Sequence, residues 1–168
     1  MKTKSYQMRA WEYIRLLSNY VCDWIYVDGI IDATEKVFWD TGIHASVEFG
    51  SSRIAVIGKD FVIKWDYDEC VKTLGGCEDE FRIYKKSLST GYSHLLAAVY
   101  RVTYRGKWFY IMPRIHNIGR EHHNYKGLED YTTKDEYNWL INHIGDLHSY
   151  NWGIENGKVV VVDYACPC

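Results

Sequence analysis

No stretch of this chain is apolar for long enough to cross a bilayer, and no stretch is strongly basic. The first absence leaves no candidate membrane span. The second argues against a dedicated nucleic-acid binder, which would present a basic face; here the net charge is −2. The N-terminus, Met1-Lys2-Thr3-Lys4-Ser5-Tyr6-Gln7, is basic but runs into Trp11-Glu12-Tyr13 and Arg15, so it lacks the clean apolar core of a signal peptide. Internal repeats, low-complexity tracts and Pro/Ser-rich linkers are also missing, and the sequence reads as one cytoplasmic domain. The cysteines Cys22, Cys70, Cys77, Cys166 and Cys168 show no disulfide-framework spacing, so reduced thiols are expected. Cys166 and Cys168 flank Pro167 and could join His143 or His148 in a zinc site, but C-x-C alone is a weak signal.

What is present is a globular composition, 47% hydrophobic and 25% charged, in a chain of 168 residues that can bury a real core. Aromatics reach 16%, more than a minimal core requires. These rings either line a pocket or partner surface, or simply fill the core with large side chains.

Periodicity divides the chain into elements. Residues 6–40 favour helix, with Met8, Trp11, Ile14, Leu16 and Leu17 as an apolar stripe continued by Val21, Trp24 and Ile25. Strands are expected at Ser46 to Phe49, Ile54 to Ile57 and Phe61 to Trp65, the last two joined by the turn Gly58-Lys59-Asp60. A helix over Cys77 to Lys86 has acidic residues at its start and lysines at its end, with Phe81, Tyr84 and Leu88 as its buried stripe. Strands over Leu96 to Tyr104 and Lys107 to Met112 flank Arg105-Gly106. Residues 113–131 are polar and loop-like. A helix over Asp135 to His143 places Tyr137, Leu140, Ile141 and Ile144 at core spacing.

That last helix leads into Gly145-Asp146-Leu147-His148-Ser149-Tyr150-Asn151-Trp152-Gly153, followed by the apolar run Val159 to Val162 and Asp163-Tyr164-Ala165. A short loop and a hairpin would bring Asp146, Asn151 and Asp163 to one place. Hard oxygen ligands at a strand end suit Mg²⁺, which keeps waters and shares ligands with phosphates. The residues themselves therefore point to phosphoryl transfer.

In this order the elements and motifs resemble the protein-kinase-like fold, in particular small kinase-like proteins of bacteria and phages, and the aminoglycoside and lipopolysaccharide kinases that share G-D-x-H-x-x-N. The resemblance runs from about Val47 to Ala165. It implies an α+β fold with a small antiparallel-sheet N-lobe over 45–112, a reduced helical C-lobe over 113–168, and an extra N-terminal helical segment over 1–44. Phe61-Val62-Ile63-Lys64 is similar to the V-A-I-K strand, which makes Lys64 the phosphate-holding cation and Glu80 its helix partner. Glu80 is preferred to Glu78 because Tyr84 lies four residues on along the buried side, whereas Glu78 aligns with Arg82. Gly50, Ser51 and Ser52 fall where a phosphate-covering loop would lie, although G-x-G-x-x-G is absent. Met112 fits the hinge that meets the adenine edge, and Pro113 has no N–H to offer there.

The resemblance further implies that Asp146 orients and deprotonates an acceptor hydroxyl, and that Asn151 and Asp163 hold Mg²⁺ on the ATP phosphates. His148 orders the loop or lines the site, and His122-His123 read as solvated loop residues. Several features depart from the protein kinases. Ile144-Gly145 replaces His-Arg, Ala165 replaces Gly, and Cys166-Pro167-Cys168 carries no activation segment or A-P-E. The N-terminal helical segment is expected to stand in for part of the missing lobe. The first functional expectation is an ATP·Mg²⁺-dependent phosphotransferase acting on a protein or small hydroxyl acceptor. The alternative is an inactive, pseudokinase-like binding module, phage-encoded and directed at a host protein in the host cytoplasm.

Overall fold

A computed structural model describes residues 5–50, 52–67, 76–116, 118–119 and 126–164. It contains helices α1 (Tyr6–Leu17), α2 (Val27–Thr41), α3 (Cys77–Thr90) and α4 (Lys134–His143). Its strands are β1 (Ser46–Phe49), β2 (Arg53–Ile57), β3 (Phe61–Asp66), β4 (Tyr100–Tyr104), β5 (Lys107–Pro113), β6 (Trp152–Glu155) and β7 (Lys158–Val161). No helix among the described residues is long and apolar enough to cross a membrane. The chain divides into two compact units, Met1–Lys72 with Tyr100–Arg114, and Thr73–Val99 with Ile115–Cys168.

The first unit is a five-stranded antiparallel sheet of order β1-β2-β3-β5-β4 with α1 and α2 packed on it. Ser5 caps α1 by accepting from the Met8 amide, and the helix buries Ala10, Tyr13, Ile14 and Leu17. These lie at i, i+3, i+4 and i+7, so they set the true apolar face. Met8, expected in that stripe, is 53% exposed because it lies off this face. The buried residues of α1 and α2 meet Ile54, Val56, Phe61, Ile63, Trp65, Phe109 and Ile111 in one core. Trp24, between the helices, sets its ring edge-on against Trp65 and Phe109 at centroid distances of 5.5 and 4.9 Å, and its carbonyl accepts from Trp65 Nε1. Burying rings of this size contributes on the order of 2–3 kcal/mol each. The two N-terminal helices therefore belong to the core of the sheet unit.

Register decides which side chains share a sheet face. Ile63 pairs with Val56 and Ile111 on the helix-covered face, whereas Lys64 pairs with Ala55 and Tyr110 on the other. The β2–β3 turn is tied down by Arg9, which pairs with Asp60, and by Arg114, whose Nη1 donates to the Gly58 carbonyl over 3.0 Å. A Cβ at Gly58 would meet the Phe61 ring at 2.4 Å, which is why glycine occupies that turn.

In the second unit α3 buries Cys77, Glu80 and Ser87. Leu88 lies off this face and is half-exposed, contrary to expectation. The run Leu96 to Val99 is not strand. After a 3-10 turn at Ser93–Leu95, Leu96 forms an isolated parallel bridge to Val161, and the Ala97 amide donates to the Val161 carbonyl over 2.8 Å. Burial of Leu96, Ala97 and Val99 explains their apolar character without a ladder. Helix α4 starts at a capping box in which Thr133 and Glu136 bond each other's amides. It buries Trp139 and Leu140, with Ile144 just beyond, but leaves Ile141 exposed. Strands β6 and β7 form a hairpin around Asn156-Gly157, both at positive φ (51° and 77°), as a tight two-residue turn requires.

Candidate functional site

Helix α4 and the buried Ile144 deliver the chain to Asp146, whose carboxylate is half-exposed. Five residues on, Asn151 is only 7% exposed, and its buried amide organises the loop. Asn151 Nδ2 donates to the Asp146 carbonyl over 3.0 Å, and its backbone N–H donates to the His148 carbonyl over 2.9 Å. Its own carbonyl accepts from Val162 over 2.8 Å and from Asp163 over 3.4 Å. One residue thus closes the loop on Asp146 and joins it to the end of β7. The main chains of Asp146 and Asp163 are thus both bonded to Asn151. Because Nδ2 is used on Asp146, Oδ1 is left as the acceptor of that amide. A hard amide oxygen beside a strand end bearing Asp163 fits a Mg²⁺ ion, which needs few protein ligands when phosphates supply the rest. Among the described residues no three His, Cys, Asp or Glu side chains group as a metal site. The zinc reading rests on Cys166 and Cys168, which lie outside the described residues.

Next to Asp163, Tyr164 is fully buried and its hydroxyl donates to the Ala97 carbonyl over 2.6 Å. Burial first, and then the negative fields of Glu80, Tyr84 and Asp163, push this phenol's pKa well above 10. Glu80 is fully buried, and Glu78 lies 3.8 Å from Arg82. Tyr164 was not among the residues singled out from sequence; only its place next to Asp163 pointed to it.

His148 stands beside Asp146, with Nε2 3.5 Å from Asp146 Oδ2, and its Nδ1 accepts from the Tyr150 amide over 3.3 Å. His148 also forms part of the wall of a cavity of about 790 Å³, together with Leu128, Glu129, Tyr137, Ile141, Tyr150 and Trp152. Sequence reasoning missed this cavity. Its one legible sign was Ile141, an apolar residue four positions after Tyr137 that the core does not absorb.

In the sheet unit, Lys64 lies on β3 and Met112 on β5 opposite Val62, so register puts Lys64, Tyr110 and Met112 on the face away from α1 and α2. The Gly50 amide donates to the Arg53 carbonyl over 2.9 Å, which closes the β1–β2 turn and commits that N–H. Ser52 accepts from the Tyr67 amide through its carbonyl, and Ser51 lies outside the described residues. Lys64, Gly50, Ser52 and Met112 belong to the first unit, and Glu80, Asp146, Asn151 and Asp163 to the second.

No protein-family model matches the chain, and no curated protein matches it in sequence. Among solved structures, the ternary complex of streptomycin, ATP and APH(2")-IIa is similar over 78% of this chain and 70% of that one. The identity is 14% and the TM-score 0.45.

Proposed function

We propose that this chain is an ATP·Mg²⁺-dependent phosphotransferase of a minimal kinase-like type, acting on a small hydroxyl-bearing acceptor in the cytoplasm. The observation that supports it most is the buried Asn151 amide, which ties the Asp146 loop to the strand end bearing Asp163. Such wiring serves positioning, and phosphoryl transfer depends on positioning and charge stabilisation more than on covalent chemistry by the protein. Asp146 orients the acceptor hydroxyl and takes its proton as the new O–P bond forms and the bond to the ADP oxygen breaks. On this reading Lys64 of the sheet unit is the cation for the phosphates, and Glu80 of α3 is a carboxylate of the nucleotide-binding machinery. Asn151 Oδ1 and Asp163 would hold Mg²⁺, which when bound neutralises charge on the β- and γ-phosphates. The cavity beside His148 has the volume of a small-molecule site, which favours a small acceptor over a protein.

Thermal-shift titration tests the reading directly. ATP with Mg²⁺ should raise the wild-type midpoint by mass action, with about 2.7 kcal/mol of stabilisation at a hundredfold excess over Kd. Asp163→Ala should lose most of that shift. ADP release that disappears in Asp146→Asn then separates a transferase from a nucleotide-binding scaffold.

A second reading, a pseudokinase-like binding module, is favoured by aromatic exposure in the first unit. Trp39 is 80% exposed and packs edge-on with Phe38, which in turn meets His44. Absence of any ATP-dependent shift in the wild type would leave this reading standing and remove the first.

A further inference from the structure

We propose that His148 is a positioning residue for Asp146, held in the Nε2–H tautomer by the backbone of Tyr150. This inference rests on Asp146 serving as the base of the reaction above, and it names how that carboxylate is kept in place.

A neutral imidazole has one donor nitrogen and one acceptor, and its neighbours decide which is which. The Tyr150 amide N–H points at Nδ1 over 3.3 Å, so Nδ1 must carry the lone pair. The proton then sits on Nε2, and Nε2 is the nitrogen 3.5 Å from Asp146 Oδ2. The Tyr150 ring lies edge-on to the imidazole at a centroid distance of 6.3 Å. The donor therefore faces the carboxylate for reasons set within the loop itself. At 3.5 Å the contact is looser than a formed hydrogen bond. Such contacts in unliganded sites tighten when substrate arrives. A free carboxylate on a half-exposed loop would sample several rotamers, and each misplaced one is unproductive.

Two substitutions separate this role from simple loop ordering. His148→Gln carries a donor at the place of Nε2 and loses the acceptor for Tyr150. His148→Asn keeps an acceptor at the place of Nδ1 and cannot reach Asp146. The His148 and Asp146 side chains are about half-exposed in the native loop, and thermal midpoints will verify folding. For a positioning role, His148→Gln retains most of kcat. His148→Asn loses about tenfold or more in kcat, with KM for ATP unchanged. Equal losses in both variants, no loss in either, or a loss confined to His148→Gln would overturn it. A second arm needs no activity. Ring-nitrogen NMR above neutral pH should show a protonated Nε2 and a bare Nδ1 at His148, with the Nε2 signal displaced in Asp146→Asn. An Nδ1–H or mixed tautomer, or no response to Asp146→Asn, overturns the proposal. If the wild type transfers no phosphate, the function proposed above fails, and the NMR arm alone decides the geometry.

Discussion

Asn151 holds the backbone of Asp146: the buried amide donates Nδ2–H to the Asp146 carbonyl over 3.0 Å, across five residues of chain. The carboxylate of Asp146 is thereby placed by its own main chain, and the side chain that places it belongs to a residue also wired to Asp163 through backbone bonds. Two of the residues that the motif makes chemically important are thus coupled before any ligand is considered.

Asn151→Ala should cost about 1–3 kcal/mol, because it removes the donor to the Asp146 carbonyl and leaves a void where the buried amide packed. Urea denaturation will read that loss. The same variant should lose the Mg²⁺-dependent part of any ATP thermal shift, whereas Asp146→Asn should keep it.

Tyr164→Phe removes the hydroxyl that donates to Ala97 and should destabilise the protein by about 1–2 kcal/mol. The pH dependence follows from the raised pKa of this phenol. Since the folded state holds the proton more tightly than the unfolded state, the contribution is intact below pH 10 and is lost as pH rises beyond it. Comparing alkaline urea midpoints of the wild type and Tyr164→Phe should show a steeper decline in the wild type.

Glu136 gives the opposite sign. The hydrogen bond from His94 Nε2, 2.8 Å away, and then the Thr133 amide hold its carboxyl down to about 2, against an ordinary 4.5. Its stabilisation is therefore complete above pH 4.5 and disappears as pH falls toward about 2. The pair is open to water, so its value is about 1 kcal/mol. Glu136→Gln keeps the capping box, and it should flatten the acid limb of the stability profile by lowering stability near neutrality by about 1 kcal/mol while leaving it little changed near pH 2.

Trp24→Ala should cost about 3–5 kcal/mol, because the ring is wedged between Trp65 and Phe109. Chemical denaturation with tryptophan fluorescence is the measurement. A loss under 1 kcal/mol would mean the helices contribute little to the sheet unit.

Tyr150→Ala, at an exposed wall of the cavity, should raise KM for the acceptor several-fold and leave ATP binding unchanged. Steady-state kinetics at saturating ATP will separate the two.

Much of this was legible in the sequence where pattern and geometry coincide. The alternation of Ile54 to Ile57 and Phe61 to Trp65 marked a hairpin, and the spacing of Glu80 and Tyr84 placed Glu80 on the buried side of α3. Hydrophobicity failed where burial is not apolar, or where apolar residues are buried without a ladder. The face of α3 is built from Cys77, Glu80 and Ser87, which no apolar stripe could reveal, and Leu96 to Val99 resembles a strand only because the run is buried. The Nε2–H tautomer of His148 and the Tyr164 bond to Ala97 depend on turns and contacts that composition does not encode. The partner of the N-terminal helices was unreadable for a related reason. An amphipathic helix declares that it must be covered, but not by what.

The hydrogen bond from Tyr164 to Ala97 spans 67 positions of sequence, whereas the one from Asn151 to Asp146 spans five. Closing a short loop costs little chain entropy and occurs early; closing a long one costs more and comes late. During folding, the loop bearing Asp146 and the hairpin that ties Asp163 to Asn151 can therefore assemble before Tyr164 is pinned to Ala97. A partly folded chain would carry the loop and the hairpin in their final shape before the Tyr164 hydroxyl reaches Ala97.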